Sequence, residues 1–106
     1  MTRHMFLKRL AFCLPLVLSS FTAHATTVAR VRDMVVECAQ CHGADGVSVM
    51  DEAPNLGGQK SVYLFNQLKA FRTGKRSHDM MKYMSRELTN DELKAIADYY
   101  ANIPGR

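Results

Sequence analysis

Apolar residues recur at three- and four-residue steps in three parts of the chain, and each part predicts an amphipathic helix. Val28, Val31, Met34, Val35 and Cys38 form the first set, so a helix should end at or near Cys38. The second runs from about Lys60 to Thr73, with Tyr63, Leu64, Gln67, Leu68 and Phe71 along one side and Gly74 placed to stop it. The third carries Leu93, Ile96, Ala97, Tyr100 and Ile103 on one face. Its start is the most explicit in the sequence: Thr89 is an N-cap, Glu92 three residues on completes a capping box, and Asp91 complements the helix dipole. Pro104-Gly105 ends it. Between the first two sets lies a connection rich in Gly and Asp that closes with Pro54-Asn55-Leu56-Gly57-Gly58. No stretch alternates apolar and polar residues long enough to make a strand, so the expected fold class is all-α.

Ahead of these helices the pattern changes. Arg3, Lys8 and Arg9 form a positive start, the run from Leu10 to Phe21 is apolar apart from Ser19 and Ser20, and Ala23-His24-Ala25 offers small residues for cleavage. This reads as a secretory signal peptide over residues 1–25, cut after Ala25, leaving one domain over residues 26–106. A membrane span needs about 20 apolar residues, and this run is about half that with Pro15 inside it, so no stable span is expected after cleavage. Cys13 is a small hydrophobe of the signal, with bulky Phe12 where a lipoprotein site wants a small residue. Cleavage also changes the charge. The whole chain carries 14 Lys and Arg against 10 Asp and Glu, but three of the basic residues leave with the signal, and a net charge near +1 gives nucleic-acid binding little support. A remaining domain of about 80 residues buries little core, and such domains often depend on a disulfide, metal or cofactor.

Only Cys38 and Cys41 then remain as cysteines, and both lie in CAQCHG, Cys38 to Gly43. C-x-x-C-H is the pattern of covalent c-type haem attachment. Two thiols three positions apart on a helical turn can each add to one vinyl group of the porphyrin, while the adjacent His42 reaches the iron. Three rivals remain open at this point. A thioredoxin-type dithiol expects a preceding strand in a βαβ unit, zinc wants two further ligands where the domain outside the motif offers only His78, and a plain disulfide would suit an oxidising compartment. A haem would also need a sixth iron ligand, for which SHDMMKYMSREL offers His78, Met80, Met81 and Met84, although some of these methionines must be ordinary core filler.

With this motif, the PNLGGQ loop, the YLFNQLKAFRTGKR helix and a methionine cluster before a capped terminal helix, the chain resembles the small bacterial class I cytochromes c. It is similar to monohaem periplasmic carriers and to each half of the dihaem respiratory cytochromes. The resemblance implies the cytochrome c fold, three main helices around one covalently bound haem c, with the first and last helices crossing. It further implies that Cys38 and Cys41 carry the thioethers, that His42 is the proximal ligand, and that the Pro54 carbonyl accepts a hydrogen bond from the other ring nitrogen of His42. Similar sequences place the axial methionine seven residues before the Leu that precedes the last cap. Counting back from Leu88 gives Met81, with Met84 as the alternative. The chain departs from the family where many members have a glycine at the helix crossing: Arg30, Val31 and Arg32 occupy that neighbourhood, and either Ala29 serves as the small contact or the crossing is wider.

A His/Met pair leaves iron no open position, so the implied function is that of a periplasmic one-electron carrier rather than an enzyme, sensor or peroxidase. Its partners would be redox proteins, a donor dehydrogenase or quinol-oxidising complex and a terminal acceptor. The alternative is a haem-c electron-relay subunit of a larger oxidoreductase complex. Lys69, Arg72, Lys75, Arg76, Lys82 and Arg86 are candidates to steer docking, with Arg72 or Arg76 pairing a haem propionate, although a solvated helix face reads as well. Tyr63, Phe65, Phe71 and Tyr83 are candidate walls of the haem crevice, and Asp45, Asp51 and Glu52 read as a solvated loop.

Overall fold

The computed structural model describes residues 21–105, and of residues 21–27 the backbone alone. The signal segment therefore lies largely outside the described residues, and Cys13 with it. Four helices follow in order: α1 (Phe21–His42), α2 (Ser61–Thr73), α3 (Asp79–Ser85) and α4 (Asn90–Ala101). No strand occurs among the described residues. The all-α expectation holds, with one addition. The methionine segment, read from sequence as a connection, is itself the short helix α3.

α2 and α4 lie where the apolar spacing put them, whereas α1 runs on to His42, one turn past the end expected near Cys38. α4 has its capping box: the Thr89 N–H donates to Glu92 Oε2 at 2.8 Å, and the Glu92 N–H donates back to Thr89 Oγ1 at 3.2 Å. α2 stops at Gly74, whose φ of 80° ends the helix in the left-handed conformation that glycine adopts freely. One core joins them, in which Val35 of α1 and Leu64 of α2 meet Leu93, Ile96, Ala97 and Tyr100 of α4 together with Leu88. Val31, Met34 and Cys38 extend the α1 side of this core, so the face predicted for the first helix is the face that packs. Phe71 is also buried on α2, whereas Tyr63 is half-exposed.

At the crossing of α1 and α4, Ala29 is exposed. Instead Arg30 reaches across: its Nε lies 3.0 Å from Glu92 Oε1, and its Nη2 donates to the Glu87 carbonyl at 3.0 Å. Glu92 is buried, so one carboxylate both closes the cap of α4 and receives the α1 guanidinium. A long cation at this position needs no close backbone approach. Its stem lies along the crossing while its head reaches the buried acid.

Two further side chains tie α2 to the last helix. Arg72 donates from Nη1 to the Leu88 carbonyl at 2.7 Å and from Nη2 to Asn90 Oδ1 at 2.6 Å. Ser61 Oγ donates to Asp98 Oδ1, and Lys94 Nζ lies 2.6 Å from Asp98 Oδ2. The hydrogen bonds from Lys94 and Ser61 hold the Asp98 carboxyl below the usual carboxylate range.

Two outcomes follow from these ties. Glu92→Ala should cost about 1–2 kcal/mol, because cap and ion pair go together, whereas Arg30→Ala should cost less than about 1 kcal/mol since half of that side chain is solvated; guanidinium unfolding at neutral pH measures both. For Asp98, a lowered folded pKa means that its contribution is complete above the unfolded value near 4 and is lost as pH falls through the folded value. Asp98→Asn should therefore lower the thermal midpoint at pH 7 and leave it close to wild type once acid has protonated the wild-type carboxyl.

Candidate haem site

α1 delivers three chemistry-bearing side chains at its C-terminal end. Cys38 and Cys41, one helical turn apart, lie on the same side of the helix, and both are half-buried free thiols. His42 is the last helical residue and is only 7% exposed. Gly43 then turns the chain at φ 81°, where a Cβ would stand 1.8 Å from the Val47 carbonyl oxygen, so no other residue fits. The following loop folds back along the helix end. The Val49 N–H and Ser48 Oγ donate to the Cys41 carbonyl at 3.1 and 3.0 Å, and the Leu56 and Gly57 N–H groups both donate to the Gly46 carbonyl.

This return brings Pro54 to His42. Nδ1 of His42 lies 2.8 Å from the Pro54 carbonyl oxygen. A carbonyl only accepts, so Nδ1 carries a proton, and in the neutral ring Nε2 keeps its lone pair. Such a bond fixes the ring orientation and strengthens the imidazole as a donor toward a metal.

The same geometry weighs against the rival readings. A redox-active dithiol needs a thiol of lowered pKa, commonly at a helix N-terminus. Here the pair sits at the C-terminal, negative end of α1, and burial pushes the Cys38 thiol up to about 11. Among the described residues no group of three His, Cys, Asp or Glu side chains is placed to hold a metal.

The methionines of α3 are sorted by burial. Met80 is 57% exposed, whereas Met81 and Met84 are half-buried. Met84 lines a crevice of about 290 Å³ between α1 and α3, whose walls include Met34, Glu37, Tyr83 and Leu88. His78 is exposed and caps α3, with its Nδ1 accepting the Met81 N–H at 3.3 Å.

The cationic and aromatic candidates are dispersed. Arg72 spends both terminal nitrogens on Leu88 and Asn90, so the fold uses it as a tie to α4. Arg76 donates to Gln67 Oε1 at 2.8 Å and lies over the Phe71 ring at 4.6 Å, so it too is engaged within the protein. Lys69 lies over Phe65 and Arg86 over Tyr83. Of the four aromatic candidates, Phe71 is buried, Phe65 packs on the core, and Tyr63 and Tyr83 are exposed. Asp51 and Glu52 are exposed, as expected, and Asp45 Oδ1 accepts the Val47 N–H within the turn.

One residue was read from sequence only as core and proves to carry a polar question. Tyr100 is 1% exposed, and its hydroxyl has no hydrogen-bond partner among the described residues. Burial, and next the proximity of Cys38, raise its pKa well above the ordinary tyrosine value. Its apolar register hid the hydroxyl, and only the packing reveals it. Two thiols on one helical face, an imidazole with a free Nε2 and a buried hydroxyl beside Cys38 fit the attachment of a haem at this end of α1.

Comparison with known proteins agrees. The cytochrome c family matches residues 28–103. A thiosulfate dehydrogenase electron acceptor from Stutzerimonas stutzeri (strain A1501) is 40% identical over 72 residues, which cover 65% of this chain and 33% of that protein. The cytochrome subunit of sulfide dehydrogenase from Chlorobaculum tepidum is 30% identical over 101 residues, covering 84% of this chain and 91% of that subunit. Among solved structures, reduced recombinant cytochrome c4 from Pseudomonas stutzeri aligns with a TM-score of 0.62 at 26% identity, covering 74% of this chain and 49% of that one. The chain thus spans a third of the first relative and about half of the cytochrome c4 chain. It belongs to the cytochrome c family and carries covalently attached haem c, with Cys38-Ala39-Gln40-Cys41-His42 as its attachment motif.

Proposed function

We propose that the chain is a periplasmic one-electron carrier, exported by residues 1–25 and cut after Ala25, with His42 and Met81 as the axial ligands of its haem iron. The observation that carries this reading is the state of His42. Its ring is buried, its Nδ1 proton is spent on Pro54, and its Nε2 lone pair remains for the metal. Met81 is supported by its burial, since Met80 faces solvent, and by its place seven residues before Leu88; Met84, equally half-buried, is the alternative.

Bound haem c supplies a reversible one-electron couple whose potential follows its axial ligands. The chain's own work is positional. Cys38 and Cys41 tether the group, Pro54 holds the His42 tautomer, and the α1–α4 core keeps water from one side. Two protein ligands leave no position for substrate, so the role is transfer and not bond-making.

The acceptor named among the relatives supports a dehydrogenase as electron donor. A second reading, a fixed relay subunit in a larger oxidoreductase complex, is favoured by the sulfide dehydrogenase subunit, which this chain matches along most of its length. No described helix is long and apolar enough to cross a membrane.

The purified periplasmic protein should have an intact mass equal to residues 26–106 plus one haem, and its ferric form should show a near-infrared methionine-to-iron band that Met81→Ala abolishes. A band that survives this substitution would reassign the ligand, and a mass including residues 1–25 would overturn the export reading. If exposed cations such as Lys75 and Lys82 steer docking, oxidation of the ferrous protein by ferricyanide should slow about tenfold between roughly 0.01 M and 0.15 M ionic strength, whereas a cationic cobalt oxidant should not slow.

A further inference from the structure

Both backbone polar groups of Met81 are held by side chains. Its N–H donates to Nδ1 of His78 at 3.3 Å, and its carbonyl accepts from Ser85 Oγ at 2.8 Å. Ser85 is fully buried, so its hydroxyl and that carbonyl satisfy each other away from water. Histidine is not among the residues preferred for capping a helix. Here its ring is fixed from outside α3. Phe71, buried on α2, meets His78 edge-on with ring centroids 6.3 Å apart and planes at 72°. Arg76 covers Phe71 at 4.6 Å and is itself anchored on Gln67. A continuous brace thus runs from α2 through Phe71 and His78 to the amide of Met81.

We propose that His78 is a positioning residue that sets how firmly Met81 stays on the iron, by tying the first turn of α3 to α2. The inference rests on the assignment of Met81 as axial ligand. For the thioether to leave, the first turn of α3 must loosen, and the His78 cap together with its contact to Phe71 opposes that loosening. Removing the acceptor atom raises the fraction of time the sixth position is open. The haem attachment and His42 are untouched.

The test is the rate at which the ferric holoprotein takes up cyanide, which enters only when the methionine has left. All variants are measured at one pH and one cyanide concentration. His78→Ala should bind cyanide about fivefold faster than wild type, the factor that a lost helix cap represents. His78→Leu, which keeps bulk against Phe71 and lacks the acceptor, should match it and stands in should the alanine variant fail to accumulate. His78→Asn, which restores a capping oxygen, should return to within about twofold of wild type. Asp98→Asn, which loosens α2 against α4 far from α3, should leave the rate unchanged. A wild-type rate in both His78→Ala and His78→Leu overturns the proposal, as does an equal acceleration in Asp98→Asn or no rescue by asparagine. Failure of the ligand assignment is seen separately: Met81→Ala would then keep the near-infrared band and the wild-type cyanide rate.

Discussion

The hydrogen bond between His42 Nδ1 and the Pro54 carbonyl joins the end of α1 to a loop twelve residues downstream, and most of the site's order depends on that closure. For Pro54 to arrive, the chain must reverse at Gly43, fold against the Cys41 carbonyl through Ser48 and Val49, and pin its far end to the Gly46 carbonyl. Asn55 helps from its side chain, accepting the Ser48 N–H at 2.7 Å. Each of these bonds satisfies backbone that a surface loop would otherwise leave to water. Together they present one carbonyl, in one orientation, to one imidazole.

α4 is the element against which the remainder is assembled. Leu93, Ala97 and Tyr100 are almost wholly buried, and polar ties reach the helix or its approach from α1 through Arg30 and from α2 through Arg72 and Ser61. The apolar face supplies most of the burial, while the polar ties fix register. Arg72 in particular binds Asn90 and the carbonyl of Leu88, so the start of α4 and the end of α2 cannot slide past one another without breaking two charge-assisted bonds.

What was legible in the sequence was local. The capping box at Thr89, the stop at Gly74 and the register of Val31, Val35, Leu93 and Tyr100 are set by neighbours three or four residues apart, and the structure has them where spacing put them. Cys38-x-x-Cys41-His42 was legible for the same reason, since one helical turn defines it. What was hidden depends on partners far away in the chain. The helix around Met81 is seven residues long, and its cap is a histidine braced by Phe71, a combination that no local rule flags. Arg72 and Arg76 looked like surface cations because their partners, Leu88, Asn90 and Gln67, become neighbours only after folding. Arg30 near the crossing reads in the sequence only as a departure from the family pattern, because its partner Glu92 lies 62 residues away.

The close approach of Gly46 to Gly57 has a consequence for how such a domain can diversify. A Cβ on Gly46 would lie 2.5 Å from the backbone of Gly57, so the base of the loop is shut by main chain alone. Val49, Met50, Asp51 and Glu52 ride above that seam and face solvent. The loop is therefore a frame with an interchangeable outer surface, whose side chains can be rewritten without shifting the carbonyl that holds His42. The variable outer side chains and the carbonyl that holds His42 are thereby kept on separate atoms of the same sixteen-residue stretch, residues 43–58.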